Sequence, residues 1–167
     1  DVLESRGLGD VYKRQEEEHF TLLSEQTEIA YPDIEPTKLY THNADVDAVN
    51  MEKLRDLDGQ VRKFTMEGQG NKQLQQNLAK NCLSPELLEL KEDAMVMCTK
   101  NNFEAGYVNG TLARVVGFDA DGMPIVKTAS DQKITIKPVS WEIRDENKLM
   151  AAIEQLPLRL AWAITVH

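Results

Sequence analysis

Apolar residues recur with helical spacing in two segments of the chain, residues 43–57 and residues 71–81. The spacing predicts an amphipathic helix in each segment. Asn43 is a suitable N-cap for the first helix, and Gly59 follows its end. The apolar faces consist of Val46, Val49 and Leu54 in the first segment and of Leu74, Leu78 and Cys82 in the second.

Short β-prone runs replace the helical spacing after residue 86. Turn-forming pairs such as Asn109–Gly110 and Asp121–Gly122 separate these runs. Closely spaced short strands with tight turns predict a small closed or half-closed β-barrel, with Trp141 expected in its core. The five runs are Leu87–Lys91, Ala94–Thr99, Thr111–Phe118, Pro124–Thr128 and Lys133–Ile143.

The change from helical spacing to short strands and back predicts an α/β fold in two parts. Residues 36–86 and 149–167 are expected to form one unit, and residues 87–148 a barrel inserted into it. The last twelve residues are apolar and stop without polar tapering, so we expect an element that is cut short. Exposed apolar surface is therefore expected around Leu156, Leu158, Leu160 and Trp162.

Composition restricts the class of protein without deciding its function. The chain has 167 residues, of which 41% are hydrophobic and 28% charged, which suits one domain or two small ones. No apolar stretch approaches a membrane span, which predicts a soluble protein with no membrane partner. Two cysteines without metal-ligand spacing predict free thiols in the cytoplasm.

The net charge of −9 is concentrated near the amino terminus. Residues 16–35 contain seven acidic side chains and no Lys or Arg, and they predict a short acidic helix followed by a linker. The rest of the chain is nearly neutral. Charge alone therefore neither supports nor excludes binding to nucleic acid.

The sequence contains no self-contained active site. It has no GxxxxGK[ST] phosphate loop, no HExxH and no GxSxG, and its three histidines lack the spacing of metal ligands. We therefore expect no catalytic residue and no metal site in the chain.

Three stretches together resemble one protein family. They are LYTHNADVDAVNMEKL (residues 39–54), LKEDAMVMCTKNNFEAGYVNGTLARVVGF (residues 90–118) and QLPLRLAWAITVH (residues 155–167). Their order and spacing resemble the C-terminal half of superfamily-one DNA helicases of the PIF and RecD-like type. The resemblance implies an incomplete second RecA-like domain with an inserted small barrel of the Src-homology-three kind.

The resemblance also implies a function for the parent protein. It would be an ATP-dependent DNA helicase of five-prime to three-prime polarity that works in repair and recombination, in the bacterial cytoplasm at the nucleoid. Its partners would be single-stranded DNA, duplex junctions and the first RecA-like domain, which is missing here. ATP and magnesium would be bound mainly by parts outside this chain, so no cofactor and no activity are expected of the fragment alone.

Four candidate DNA-binding residues lie at two predicted strand ends. Thr41 and Asn43 occupy a strand-to-helix turn, where free backbone N–H groups favour a phosphate, although Asn43 can equally act only as a cap. Thr165 and His167 match the T-x-H spacing of the family's DNA-contacting motif. We expect a strand-to-helix transition near Ala163, with Thr165 in the first turn; an uninformative terminal residue is the alternative for His167.

Phe103 and Asn109 are two further DNA-binding candidates, and both lie in the predicted barrel. Phe103 flanks the turn that contains Asn109, and an exposed aromatic ring there can stack on a base. Tyr107 is a second aromatic candidate. The alternative is that both rings cover the barrel as a loop lid.

Other interpretations of the whole chain remain open at this point. It could be a stand-alone, non-enzymatic nucleic-acid-binding barrel or a protein-interaction module. The string GLGDVYKRQ, within residues 1–15, resembles sequencing-adapter read-through in environmental (metagenomic) assemblies. Those residues are therefore predicted to be a non-native or disordered tail, the alternative being an ordinary flexible amino terminus.

Overall fold

The structure is a computed structural model that describes residues 37–40 and 43–165, with side chains from residue 45 onward in the second range. The predicted tail (residues 1–15) and the predicted acidic helix and linker (residues 16–35) lie outside the described residues.

The described part of the chain is mostly β-sheet with few helices. Its helices are α1 (Asn43–Asp56) and α2 (Lys72–Asn81). Its strands are β1 (Lys38–Tyr40), β2 (Arg62–Thr65), β3 (Glu67–Gly70), β4 (Leu87–Leu90), β5 (Met95–Cys98), β6 (Leu112–Phe118), β7 (Pro124–Thr128), β8 (Lys133–Thr135), β9 (Val139–Asp145), β10 (Lys148–Gln155), β11 (Leu158–Leu160) and β12 (Ala163–Thr165).

Both predicted helices are confirmed. α1 buries Val46 and Leu54 on the face that the spacing indicated. α2 begins after Asn71, whose side-chain oxygen accepts hydrogen bonds from the backbone N–H groups of Gln73 (2.9 Å) and Leu74 (3.2 Å). This cap satisfies donors that the helix itself leaves unpaired, so the sequence determines where α2 begins.

The predicted β-prone runs correspond to strands β4 to β9. The run Lys133–Ile143 is divided into two strands, because Pro138 has no backbone N–H for a sheet ladder. The largest sheet has the order β11-β5-β6-β7-β8 and is antiparallel throughout. No closed barrel is found among the described strands, since β8 and β11 stand at opposite ends of this order.

Two strands, β3 and β10, have no counterpart in the predicted strands. β10 lies between β9 and β3 in a three-stranded antiparallel sheet. Gly70 at the end of β3 has a φ of +87°, and a Cβ there would overlap the carbonyl oxygen of Met150. A glycine is therefore required where β3 approaches β10.

Several hydrogen-bonded pairs join segments that the sequence assigns to different parts. β2 pairs with β4, β10 pairs with β9, and β11 pairs with β5. The division into two units stays a prediction. Through these pairings, the flanking strands β2, β10 and β11 are hydrogen-bonded to strands β4, β9 and β5 of the predicted insertion.

The apolar carboxyl-terminal run is buried, which makes the expectation of exposed apolar surface wrong. Leu156, Leu158 and Trp162 have 1%, 0% and 5% of their surface exposed, and Leu160 is half-buried. β11 lies antiparallel to β5, and the Thr99 N–H donates to the Pro157 carbonyl (2.9 Å). The run therefore packs into the same core as Val96, Val115, Val126, Ile134 and Ile136.

Trp141 does not enter that core. It is half-buried, and the ammonium group of Lys100 lies 4.8 Å from the centre of its ring. The same ammonium group donates to the Ser140 carbonyl (2.6 Å). The ring thus serves as a cation–π partner at the edge of the fold.

Candidate nucleic-acid interface

β1 and β12 form a parallel pair whose carboxyl ends lie side by side. Lys38 is in register with Ala163, and Tyr40 is in register with Thr165. The Lys38 N–H donates to the Trp162 carbonyl (2.8 Å) at the start of the pair. Ligands of α/β proteins bind beyond the carboxyl ends of parallel strands, so this edge is the first candidate site.

Helix α1 follows β1 directly and contacts β12. Its amino terminus therefore belongs to the same edge as Thr165. Backbone N–H groups and the helix dipole favour an anion at such a position. The arrangement can bind a phosphate without a Lys or Arg side chain.

The structure locates only part of the predicted set at this edge. Thr165 is half-buried at the end of β12. The predicted helical turn at Thr165 is wrong, because residues 163–165 are a strand paired with β1. Thr41, the side chain of Asn43 and His167 lie outside the described residues, so their roles stay predictions.

Asn50, which the sequence analysis did not single out, connects α1 to β12. Its side-chain amide donates to the Ala163 carbonyl (2.9 Å), and its side-chain oxygen accepts from the Ala163 N–H (3.0 Å). The signal was available in the sequence: Asn50 lies four residues from both Val46 and Leu54, in the middle of the apolar row.

The other two predicted residues, Phe103 and Asn109, share one loop between β5 and β6. Phe103 has 78% of its surface exposed, whereas Tyr107 is buried. The backbone groups of Asn102 and Tyr107 bond to each other in both directions (2.9 and 3.1 Å), which fixes the loop. Tyr107 is therefore a core residue and not a DNA-facing ring, while Phe103 faces solvent.

Asn109 lies in the predicted turn of the same loop. The Thr111 N–H donates to the Val108 carbonyl (3.0 Å), and Gly110 has a φ of +90°. The Asn109 backbone N–H donates to the side-chain oxygen of Asn101 (2.8 Å). These bonds hold the backbone and leave the Asn109 side chain exposed.

The Phe103 loop lies beside the turn between β7 and β8. A Cβ on Gly106 would lie 2.6 Å from the Gln132 side-chain nitrogen, so the Gly106 backbone lies close to the Gln132 side chain. The next residue, Lys133, is exposed and in register with Lys127. Lys127 forms an ion pair with Asp131 and lowers the pKa of that carboxyl. This tip thus places the exposed Phe103 ring near Lys133, with the exposed acid Glu104 next to the ring in the chain.

A separate cleft of about 550 Å³ lies between α1, residues 79–89 and Arg159. It contains Asp47, Glu86 and Glu89 beside Arg159. Its mixed charge does not favour a phosphate backbone.

Cys98 is not poised to act as a nucleophile. Cys98 is buried, and burial raises the pKa of its thiol to about 11, so the thiol is protonated near neutral pH. Between residues 37 and 165, where described, no three His, Cys, Asp or Glu side chains cluster as metal ligands. No helix in this part of the chain is long and apolar enough to cross a membrane.

Comparison with known proteins connects this fold to one family. Residues 73–118 match the family model described as the 2B domain of DNA helicase Pif1. The chain is 36% identical to human ATP-dependent DNA helicase PIF1, over 78% of this chain and 21% of that protein. It is 28% identical to ATP-dependent DNA helicase Pif1 of a Psychrobacter species, over 81% of this chain and 28% of that protein.

Solved structures agree with the sequence matches. The Pif1 helicase of Candida albicans superposes with a TM-score of 0.70 and 29% identity, over 80% of this chain and 36% of that one. Bacteroides Pif1 bound to single-stranded DNA superposes with a TM-score of 0.63 and 25% identity, over 77% of this chain and 30% of that one. A structure of two coordinating Pif1 helicases at forked duplex DNA superposes with a TM-score of 0.65 and 27% identity, over 77% of this chain and 29% of that one.

The chain spans roughly a quarter of the length of these curated relatives. The matches cover about four-fifths of this chain, and the matched proteins are helicases, so a stand-alone barrel or interaction module is not favoured. The chain is a Pif1-like segment that corresponds to a C-terminal region of superfamily-one DNA helicases.

Proposed function

We propose that this chain is the part of an ATP-dependent DNA helicase that grips single-stranded DNA. The observation that supports this most is the paired carboxyl ends of β1 and β12, with the amino terminus of α1 at the same edge. A translocating protein must ignore base sequence, so contacts to phosphate are the suitable kind. An edge that offers N–H groups and a threonine hydroxyl meets that need.

In this proposal one phosphate lies at the amino terminus of α1. Thr41, Asn43, Thr165 and His167 supply donors around it. Hydroxyl and neutral imidazole groups bind phosphate without the strong attraction of a Lys, which suits a strand that must slide. Asn43 can cap α1 with its side chain while the helix backbone binds phosphate.

A second contact is made by the loop that carries Phe103 and Asn109. The ring of Phe103 is exposed on a loop held by backbone hydrogen bonds, so stacking on a base costs little ordering. The Asn109 amide is also exposed, and Lys133 on the neighbouring turn adds positive charge.

The parent protein is proposed to hydrolyse ATP with magnesium, using its first RecA-like domain together with this region. Residues 36–86 and 149–167 would belong to the second RecA-like domain, with residues 87–148 as a small barrel-like insertion. Five-prime to three-prime polarity, duplex junctions as substrates and roles in repair and recombination at the nucleoid are parts of the same proposal. The relatives described above are ATP-dependent DNA helicases, which supports the ATP-dependent part of this proposal.

Replacing Thr165 by Val tests the edge of β1 and β12. The change keeps the shape of the side chain and removes its hydroxyl, so one neutral hydrogen bond to phosphate is lost, worth about 0.5–1.5 kcal/mol. We expect the chain to bind fluorescent oligothymidylate roughly three- to tenfold more weakly, as measured by anisotropy titration.

Thr65→Val, on exposed strand β2, is the matched control and should leave the affinity unchanged. Equal affinities of Thr165→Val and the wild-type chain would remove Thr165 from the DNA interface.

A further inference from the structure

Asn50 is a polar residue buried in the middle of an apolar helix face. Only 4% of its surface is exposed, and its neighbours along the face are Val46 and Leu54. A buried amide is costly unless its donors and acceptors are satisfied, so the partners of Asn50 indicate its purpose.

Those partners belong to β12. The Asn50 amide bonds to both the N–H and the carbonyl of Ala163, and its nitrogen also lies 3.5 Å from the Leu160 carbonyl. On the other side of β12, the Trp162 carbonyl accepts from Lys38 of β1. The Asn50 side chain thus takes the place of a neighbouring strand at one residue of β12.

This contact fixes the register of β12 relative to α1 and also holds the two elements together. Successive backbone groups of a strand point to opposite sides, so a shift of β12 by one residue would turn the Ala163 groups away from Asn50. The amide must meet a donor and an acceptor of the same residue.

We propose that Asn50 is a positioning residue that aligns the amino terminus of α1 with the end of β12, so that both meet the same phosphate. The inference rests on the proposed function. Asn43 lies two helical turns before Asn50, about 10 Å along the axis. Thr165 lies two residues after Ala163, about 7 Å along the strand. The Asn50 amide therefore sets the position of the start of α1 relative to the end of β12, the two parts of the proposed phosphate site.

The test compares Asn50→Leu with Leu54→Ala in the 167-residue chain. Both substitutions weaken the packing of the same buried face of α1, but only Asn50→Leu removes the hydrogen bonds to Ala163. We expect Asn50→Leu, at a temperature where circular dichroism shows it folded, to bind oligothymidylate at least tenfold more weakly. Leu54→Ala should keep the wild-type affinity.

Amide hydrogen exchange gives a readout that does not need DNA. Asn50→Leu should speed exchange at Ala163 well beyond the effect of Leu54→Ala. Unchanged protection at Ala163 would overturn the positioning role even if DNA binds normally. A wild-type chain that binds no oligothymidylate would instead overturn the proposed function, and with it the DNA part of this inference.

Asn50→Asp covers the case in which Asn50→Leu does not fold. The ionised carboxylate cannot donate to the Ala163 carbonyl, whereas the protonated acid can, and burial favours protonation. The affinity of Asn50→Asp relative to wild type should therefore recover between pH 8 and pH 5. If the ratio of the Asn50→Asp affinity to the wild-type affinity did not change with pH, the hydrogen bond that the Asn50 side chain donates to Ala163 would not position the site.

Discussion

Leu158→Ala should lower the free energy of unfolding of the chain by about 2–5 kcal/mol. Leu158 is completely buried in β11, where it is in register with Cys98 of β5. Removing its side chain leaves a cavity that the backbone cannot close, because β11 is held to β5 by ladder hydrogen bonds. Urea denaturation followed by circular dichroism measures the change.

The matched control is Leu83→Ala, since Leu83 has 51% of its surface exposed. Leu83→Ala should change the free energy of unfolding by no more than about 0.5 kcal/mol, as most surface substitutions do. If the two variants were equally stable, the carboxyl-terminal run would not be packed against β5, and the described core would be wrong.

Phe103→Ala should weaken oligothymidylate binding by about tenfold or more while leaving stability unchanged. Stacking of one base on an aromatic ring is worth about 1–3 kcal/mol, and the Phe103 ring is available for it on a fixed loop. Anisotropy titration measures the affinity, and thermal unfolding measures the stability.

Phe103→Trp and Phe103→Leu separate stacking from simple apolar contact. The first keeps an aromatic face and should retain the affinity, whereas the second keeps apolar volume and should lose it. Equal binding by Phe103→Leu and the wild-type chain would exclude stacking, and the loop would then be only a cover for the sheet.

Local features of the fold were predictable from the sequence. Helix α1 has a regular apolar row, α2 has Asn71 as a cap, and strands β4 to β7 are separated by strong turn pairs. Each of these signals lies within a few residues of the element that it specifies. Periodicity and capping are therefore sufficient to locate these elements.

Features that depend on distant partners were not predictable in the same way. β3 consists of Glu67–Gly70 and has little β propensity, yet β10 pairs with it over its full length. Leu158 is buried only because β5, some sixty residues earlier in the chain, lies beside it. Long-range pairing, and not local composition, decides both cases.

The candidate site was predictable to a similar extent. Phe103 and Asn109 were correctly assigned to one exposed loop, but Tyr107 turned out to be buried. Thr165 ends a strand, because β1 supplies a parallel partner that the isolated segment does not reveal. Asn50 was missed because a single polar residue in an apolar row has no partner visible in the sequence.

The central claim is that this chain grips single-stranded DNA through phosphate contacts. The most direct test is an anisotropy titration of fluorescent oligothymidylate with the 167-residue chain over a range of salt concentrations, with a blunt duplex of equal length as comparison. We predict tighter binding to the single strand than to the duplex, weakening linearly in log K against log salt by about 0.7 for each phosphate neutralised by a cationic side chain such as Lys133. Because the chain carries a net charge of −9, such binding would have to come from a local site. No binding, or equal binding to the blunt duplex, would contradict the account.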